Sequence, residues 1–391
     1  MTRTLLTGVL LAFAWVPGAA AQPLFGVHWD GSLDLVRLDR DTLRPLPGPR
    51  APVAGDPLGW SFSPDRSRVA LGTTSPGARL RVIGLRGMRV LGDVRVARRG
   101  SGIATTWAGP RRVLSVIVTP GCCGAGDTTV AGVDVERRRV TWRRALGGSL
   151  QGGEPYRRGF VFVLGPRGES IGPSRIVHVD GDGNLRSADL PEIRSGAEPG
   201  AGFFTRTWDP GLAVDRAGGR AFVVQAGAAV AEVDLSTFEV RSHSLGASAA
   251  DVVEGPTRHA LWLGRGMLAV TGSDARRRRP ETPAGLTLID TRRWEARTID
   301  RQTTEAAFAS GTLLASGYPA RTGLTGYSVR GGRRFHVYAR KRIIGVQPFG
   351  GRALVGTLDG ATLIDVHTGR QLHRLRRLPV TVLAGSAAPV F

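Results

Sequence analysis

The sequence predicts an all-β fold, a single β-propeller of four-stranded blades, and three observations support this prediction. The 391 residues include 55 glycines and 24 prolines and show no long helical period, as is typical of many short strands joined by turns. A hairpin of two apolar strands recurs along the chain, and so does a hydrophobic-Asp step at the end of a later strand. Because such a unit cannot bury its own faces, its copies must stack, and the usual closed form of the stack is a propeller.

The segment 211–245 is the clearest copy of the repeated unit. It reads as four short strands, GLAVD, AFVVQ, AVAEVDLST and EVRSHSL, which are joined by turns rich in small residues. Seven copies of the first hairpin follow one another along the chain, with the turns SPDRSR, AGPRR, EPYRRG, DRAGGR, LGRG, ASG and FGGR. Each hairpin predicts one blade.

The third strand of each unit tends to end in a hydrophobic residue followed by aspartate. These aspartates are Asp39, Asp134, Asp180, Asp234, Asp290 and Asp365. An Asp side chain at the start of a turn accepts hydrogen bonds from the backbone N–H groups that follow it. We therefore expect these carboxylates to have a local structural role.

The two chain ends are predicted to share one blade. Residues 25–29, 33–38 and 43–46 read as three strands of a unit that has no clear first strand, and residues 380–383 have the pattern of the missing strand. Pairing of the two ends would close the ring and remove its open edges. The seven internal hairpins and this composite blade predict eight blades; seven is the alternative, if one hairpin is an insertion.

Short motifs resemble those of the WD40-like, YVTN-like and NHL-like β-propellers that include secreted bacterial proteins. The resemblance rests on Ser63-Pro64-Asp65, on the DRAG sequence 215–218 and on Ile289-Asp290-Thr291, and it covers nearly all of the chain after residue 21. Arg66 stands where a glycine is common, and no Trp-Asp signature is present. The resemblance implies the fold but no particular activity, because propellers of this kind have unrelated functions.

The first 21 residues have the pattern of a secretion signal. Arg3 precedes the apolar run LLTGVLLAFAWV (5–16), and the alanines at 19–21 offer a small-residue cleavage pattern before Gln22. We therefore expect a signal peptide over 1–21 and a β-propeller domain over 22–391. The sequence predicts a secreted, extracellular protein that lacks a transmembrane segment after cleavage, and we expect a monomer.

The charge of the chain is strongly positive. The formal net charge is +21, and Lys341 is the one lysine among 53 basic residues. Such a charge attracts anionic surfaces, including anionic polymers of the cell envelope, whereas no motif for specific nucleic acid recognition is present. The run Arg276, Arg277, Arg278, Arg279 lies in the longest insertion, 272–285, and is the candidate binding segment.

The connections between second and third strands are long and varied, and in a propeller they emerge at the same end as the links between blades. We call this end the long-loop face and predict that it binds the ligand or partner. One of its loops contains Cys122 and Cys123, which are adjacent. In an oxidising compartment they could form a vicinal disulfide, with free thiols or an intermolecular bridge as alternatives. A vicinal disulfide also occurs above the cofactor in some quinone-dependent alcohol dehydrogenases, although the repeated tryptophan motifs of those propellers are absent here.

Acidic residues in the same region raise the alternative of a metal-dependent enzyme. Several propeller hydrolases and lactonases hold a divalent metal in the channel with carboxylates from different blades. The candidates for such a site are Asp127, Glu154, Asp209, Asp251 and Glu254. The segment 180–184 alternates oxygen ligands as a calcium loop does, but it departs from the full pattern, and a β-turn explains it equally well.

Three functions are consistent with these observations. The first is a secreted, non-catalytic propeller that binds a ligand or partner, with anionic ones favoured, through the long-loop face. The second is a metal-dependent hydrolase or lactonase, and the third is a structural or interaction protein of the cell envelope. No catalytic residue and no cofactor is predicted; a divalent metal belongs to the second hypothesis only.

Overall fold

The chain forms eight antiparallel β-sheets arranged as the blades of a ring in a computed structural model. The structure describes residues 23–55, 57–74, 77–119, 126–168, 170–199, 205–226, 229–245, 255–276, 279–317, 321–375 and 380–383. Within these ranges every regular element is a strand, and none of them contains a helix of the length and apolarity needed to cross a membrane. The all-β prediction is therefore confirmed.

The strands follow one another blade by blade along the chain. Blades 1 to 3 contain β1 (Leu24–Trp29), β2 (Leu33–Leu38), β3 (Ala51–Pro52); β4 (Pro57–Phe62), β5 (Arg68–Thr73), β6 (Arg79–Gly84), β7 (Arg89–Arg95); and β8 (Ser101–Trp107), β9 (Arg112–Val118), β10 (Thr128–Asp134), β11 (Arg139–Ala145). Blades 4 and 5 contain β12 (Leu150–Tyr156), β13 (Gly159–Leu164), β14 (Ile171–Val179), β15 (Leu185–Pro199), β16 (Thr205–Trp208); and β17 (Gly211–Asp215), β18 (Arg220–Val224), β19 (Ala229–Asp234), β20 (Val240–Ser244).

The remaining blades follow the same order. Blade 6 contains β21 (Gly255–Gly264), β22 (Met267–Arg276), β23 (Arg279–Pro283), β24 (Leu286–Asp290) and β25 (Glu295–Asp300). Blades 7 and 8 contain β26 (Glu305–Ala309), β27 (Thr312–Ser316), β28 (Leu324–Ser328), β29 (Arg333–Val337); and β30 (Ile343–Phe349), β31 (Arg352–Thr357), β32 (Gly360–Asp365), β33 (Gln371–Leu375). The last strand, β34 (Val380–Leu383), returns to blade 1.

Eight apolar clusters hold the ring together, and each one spans two consecutive blades. The cluster between blades 4 and 5, for example, packs Val161 and Ile176 against Leu212 and Val223. Because each sheet is covered on both faces by its neighbours, its central strands are rich in apolar residues; every residue of β13 is buried. The eight interfaces confirm the count of eight blades.

The chain ends close the ring as the sequence predicts. Strand β34 pairs with β1 in antiparallel register, with Phe25 opposite Leu383 and His28 opposite Val380. The predicted outer strand at 43–46 is wrong, because β3 lies at Ala51–Pro52 instead. The Asp39 carboxylate accepts hydrogen bonds from the N–H groups of Asp41 and Thr42, and Leu43 has a φ of 55°, so the chain turns at the residues that were expected to be extended.

The aspartates at the ends of third strands have the expected structural role. The Asp234 carboxylate accepts hydrogen bonds from the N–H groups of Ser236 (2.7 Å) and Thr237 (3.0 Å). The Ser236 hydroxyl, which also donates to this carboxylate, and the two backbone N–H groups hold the pKa of Asp234 at about 2, because these hydrogen bonds favour the ionised form. Hydrogen bonds of the same kind form at Asp39, Asp134, Asp180, Asp290 and Asp365.

The strand directions define two different ends of the ring. The innermost strands of adjacent blades contact one another around the channel, and they run the same way through it. Turns between first and second strands and between third and fourth strands therefore lie at one end, which we call the short-turn face. The connections between second and third strands and the links between blades lie at the other end, the long-loop face.

Candidate functional site

Two β-ribbons extend beyond the ring on the long-loop face, from the blades on either side of blade 5. In blade 4, β14 and β15 continue until Ile171 lies opposite Gly196, and β15 then pairs with β16. In blade 6, β22 continues past its pairing with β24 and pairs with β23, so that Arg276 lies opposite Arg279. Two members of the predicted arginine run thus lie on the paired strands of this ribbon, whereas Arg277 and Arg278 lie outside the described residues.

The base of the blade 6 ribbon is fixed to the ring by an ion pair and a glycine. Arg258 of β21 lies 2.7 Å from Asp274 of β22, and both side chains are largely buried. Gly272 has a φ of 149°, and a Cβ at this position would lie 1.9 Å from the Thr257 carbonyl oxygen. The ribbon therefore leaves the blade at a position that only glycine can occupy.

Asp209 lies between the two ribbons, directly after β16. Its backbone joins blade 4 to blade 6, because Asp209 N–H donates to the Pro256 carbonyl (3.0 Å) and Arg258 N–H donates to the Asp209 carbonyl (2.7 Å). The Gln151 side-chain amide lies between Ser149 and Asp209. In the orientation in which this amide is hydrogen-bonded to both neighbours, its nitrogen donates to Asp209 Oδ1 at 2.9 Å. Burial raises the pKa of Asp209 to about 6.

The acidic residues predicted from the sequence do not converge on a metal site in the described part of the chain. Asp127 is exposed in the β9–β10 connection, where its carbonyl oxygen accepts a hydrogen bond from Thr119. No three His, Cys, Asp or Glu side chains among the described residues are grouped as metal ligands. Asp251 and Glu254 lie outside the described residues, as do Cys122 and Cys123, so those predictions stay predictions.

Glu154 lies at the other end of the channel from the long-loop mouth where we expected it. It pairs with Val161 in a hairpin that turns just after Tyr156, so it stands two residues from the short-turn face. Its carboxylate lies 3.8 Å from Arg216 Nη2 and accepts a hydrogen bond from the Val214 N–H. Burial raises the pKa of Glu154 to about 7, although Arg216 and the Val214 N–H oppose the change.

The calcium-like segment is a β-turn. The Asp180 carboxylate accepts hydrogen bonds from the N–H groups of Asp182 (2.8 Å) and Asn184 (2.9 Å), and the Asn184 side-chain amide donates to its second oxygen. Asp182 makes an ion pair with Arg112 of the neighbouring blade. These contacts account for the oxygen-rich pattern as a structural turn.

An exposed apolar patch on the long-loop face was missed by the sequence analysis. It consists of Trp29, Leu58, Ile344 and Leu358, with exposed fractions of 62%, 47%, 54% and 68%, at the long-loop ends of blades 1, 2 and 8. The second-to-third-strand turns of blades 8 and 1 are short, spanning 358–359 and 30–32, so they leave the strand ends uncovered. The short turns were the available signal for this exposure. Large apolar side chains exposed on one face often mark an interaction site.

Comparison with known proteins shows the fold. No family model and no curated protein matches the chain. Among solved structures, the dihydro-heme d1 dehydrogenase NirN in complex with DHE is 14% identical, with a TM-score of 0.60 over 94% of this chain and 75% of that one. BamB from Moraxella catarrhalis is 13% identical, with a TM-score of 0.53 over 88% of this chain and 91% of that one.

A third similar structure extends the range of proteins that share the fold. Sqt1 from Saccharomyces cerevisiae is 10% identical, with a TM-score of 0.52 over 85% of this chain and 86% of that one. The WD40-like resemblance of the fold is therefore confirmed. At such identities the likeness shows the β-propeller alone, and its members have varied functions.

Proposed function

We propose that the protein is an exported, non-catalytic binding propeller whose long-loop face takes an acidic protein partner, with an anionic polymer of the cell envelope as the alternative. The observation that carries the proposal is the blade 6 ribbon, in which Arg276 lies opposite Arg279. A general binding scaffold is compatible with the fold, since propellers commonly bind at one end of the ring.

The sequence of this segment is strongly basic. Residues 274–281 contain four arginines and two acidic residues. Asp274 is already engaged by Arg258 at the base of the ribbon, so it adds little neutralising charge at the turn. Arginine side chains at such a position suit carboxylates or phosphates, which they bind with two parallel N–H donors.

The apolar patch supports a protein as the partner. Trp29 and Leu358 are the most exposed large apolar residues in the described part of the chain, and both lie on the same face as the arginine ribbon. Aromatic and apolar anchors with arginine are typical of protein interfaces. A purely polyanionic polymer would use the ribbon but gain little from the patch.

Replacing Arg276–Arg279 with serine should weaken binding of poly-L-glutamate about tenfold at low salt, because four positive charges are lost. The dependence of affinity on salt should also become shallower. Fluorescence anisotropy with a labelled polymer at several salt concentrations measures both quantities.

The matched control removes four arginines from the short-turn face: Arg111, Arg137, Arg138 and Arg139, which are exposed. This variant has the same net charge, so it should keep most of the affinity if the ribbon is the binding segment. Equal losses of affinity in the two variants would contradict the proposal and indicate that net charge alone attracts the polymer.

A further inference from the structure

We propose a second binding site at the short-turn mouth of the channel, for a small molecule that carries two or more phosphate or carboxylate groups. The site lies at the opposite end of the ring from the long-loop face, so it does not depend on the function proposed above. Its basis is a cavity of about 390 Å³ between blades 2, 3, 4 and 5. Sites for small molecules commonly have this size.

Three arginines line the cavity and give it a strong positive charge. Arg66, Arg157 and Arg216 come from the first-hairpin turns of blades 2, 4 and 5, and none of the residues that line the cavity is acidic. Arg66 and Arg157 have φ values of 54° and 50°. Since the arginines come from three blades, an anion between them could be contacted from several sides.

Aromatic rings contact two of these arginines. The guanidinium carbon of Arg66 lies 4.8 Å from the centre of the Phe62 ring, and that of Arg157 lies 5.1 Å from the centre of the Tyr156 ring. Such a cation–π contact holds a guanidinium group in place without a carboxylate that would neutralise its charge. In the described part of the chain, no acceptor takes a hydrogen bond from either guanidinium.

The nearby carboxylates have other partners and do not neutralise Arg66 or Arg157. Asp65 accepts hydrogen bonds from the hydroxyls of Ser63 and Ser67. Asp215 accepts from the Gly218 N–H at 3.0 Å and contacts Arg220 at 3.3 Å.

Glu154 lies beside Arg216, the third arginine of the cavity, with a separation of 3.8 Å. The two arginines held by aromatic rings therefore provide the charge that a bound anion would neutralise, and Arg216 is shared with Glu154. Two separated guanidinium groups favour a ligand with at least two anionic groups, because each can bind one group bidentately.

Titration calorimetry with tripolyphosphate and with citrate at pH 6 tests the proposal. We expect saturable binding of at least one of them, with one ligand per chain. Arg66→Gln and Arg157→Gln should each lower the affinity about tenfold or more, because each removes a charge-assisted hydrogen-bond donor. Circular dichroism should show that both variants remain folded, since both side chains are exposed.

The controls carry the same change of charge outside the cavity. Arg158→Gln lies in the same turn as Arg157, and Arg265→Gln lies in the blade 6 turn with a similar φ of 55°. Both should change the affinity less than about twofold, as should serine at 276–279. Equal losses for Arg157→Gln and Arg158→Gln, or the absence of saturable binding of either anion, would overturn the proposal.

Discussion

Replacing Val382 with aspartate should destabilise the folded protein by about 3 to 5 kcal/mol, because an unpaired carboxylate would be buried. Val382 has no exposed surface and packs in the cluster that joins blade 8 to blade 1. It lies in β34, opposite Gly26 of β1, where the two chain ends meet. Urea unfolding followed by circular dichroism at pH 7 measures the change.

The neighbouring residue supplies the control for this prediction. Thr381 lies in the same strand but is exposed, so Thr381→Asp adds the same charge without burying it. The expected cost is about 0.5 kcal/mol or less. Similar stabilities of the two variants would show that the contact between the chain ends contributes little to the closure of the ring.

The repeat of the fold could be predicted from the sequence because its signals are local. In blade 5, the turn DRAGGR and the step Val233-Asp234 mark the strand ends, and the observed strands Gly211–Asp215 and Arg220–Val224 agree with the prediction. The aspartates also mark their own turns, since each one accepts hydrogen bonds from N–H groups only two to four residues away. Such patterns need no knowledge of distant contacts.

The ribbons could not be predicted in the same way. Residues 279–283 contain Pro280 and Pro283, which suggests an extended loop, yet they form an edge strand that pairs with β22. Proline is compatible with an edge strand because one side of that strand needs no N–H donors. Whether such a segment pairs depends on the length of β22 beyond the blade, which the local sequence does not reveal.

The sites at the two ends of the channel depend on contacts between distant parts of the chain. Arg66, Arg157 and Arg216 are 150 residues apart from first to last, and the stacking of blades 2 to 5 brings their turns to one cavity. The position of Glu154 was predicted at the wrong end, because its strand extends through Tyr156 before the chain turns. Burial of a carboxylate between two blades leaves no mark in the local sequence.

Replacing Glu154 with glutamine should make the protein more stable than its parent at high pH. The free energy of unfolding of the variant minus that of the parent should increase by about 3 kcal/mol as the pH rises from 4.5 to 8. The pKa of Glu154 is about 7 in the folded protein and about 4.5 in the unfolded chain, and a difference of this size corresponds to about 3 kcal/mol. Since the folded-state pKa is raised, the stabilising contribution of Glu154 is fully present below pH 4.5. It is lost as the pH rises toward 7, because the unfolded chain ionises first.

The difference in the free energy of unfolding between variant and parent reports Glu154 alone, because the contributions of other groups that titrate in this range cancel. Asp209, with a pKa of about 6, also lowers the stability as the pH rises, but it is present in both proteins. Glutamine keeps an acceptor for the Val214 N–H and cannot ionise, so the variant should lack the Glu154 contribution. Denaturant unfolding at pH 4.5, 6, 7 and 8 measures the difference curve.

Glu136→Gln is the control, because Glu136 is an exposed residue of the short-turn face that pairs with Arg111 at 3.0 Å. Its difference from the parent should stay within about 0.5 kcal/mol at every pH, as expected of an exposed ion pair. A flat difference curve for Glu154→Gln would mean that the carboxylate ionises in the folded protein as easily as in the unfolded chain. Arg216 would then be fully paired with Glu154 near neutral pH, which would leave Arg66 and Arg157 as the groups available to an anion in the cavity.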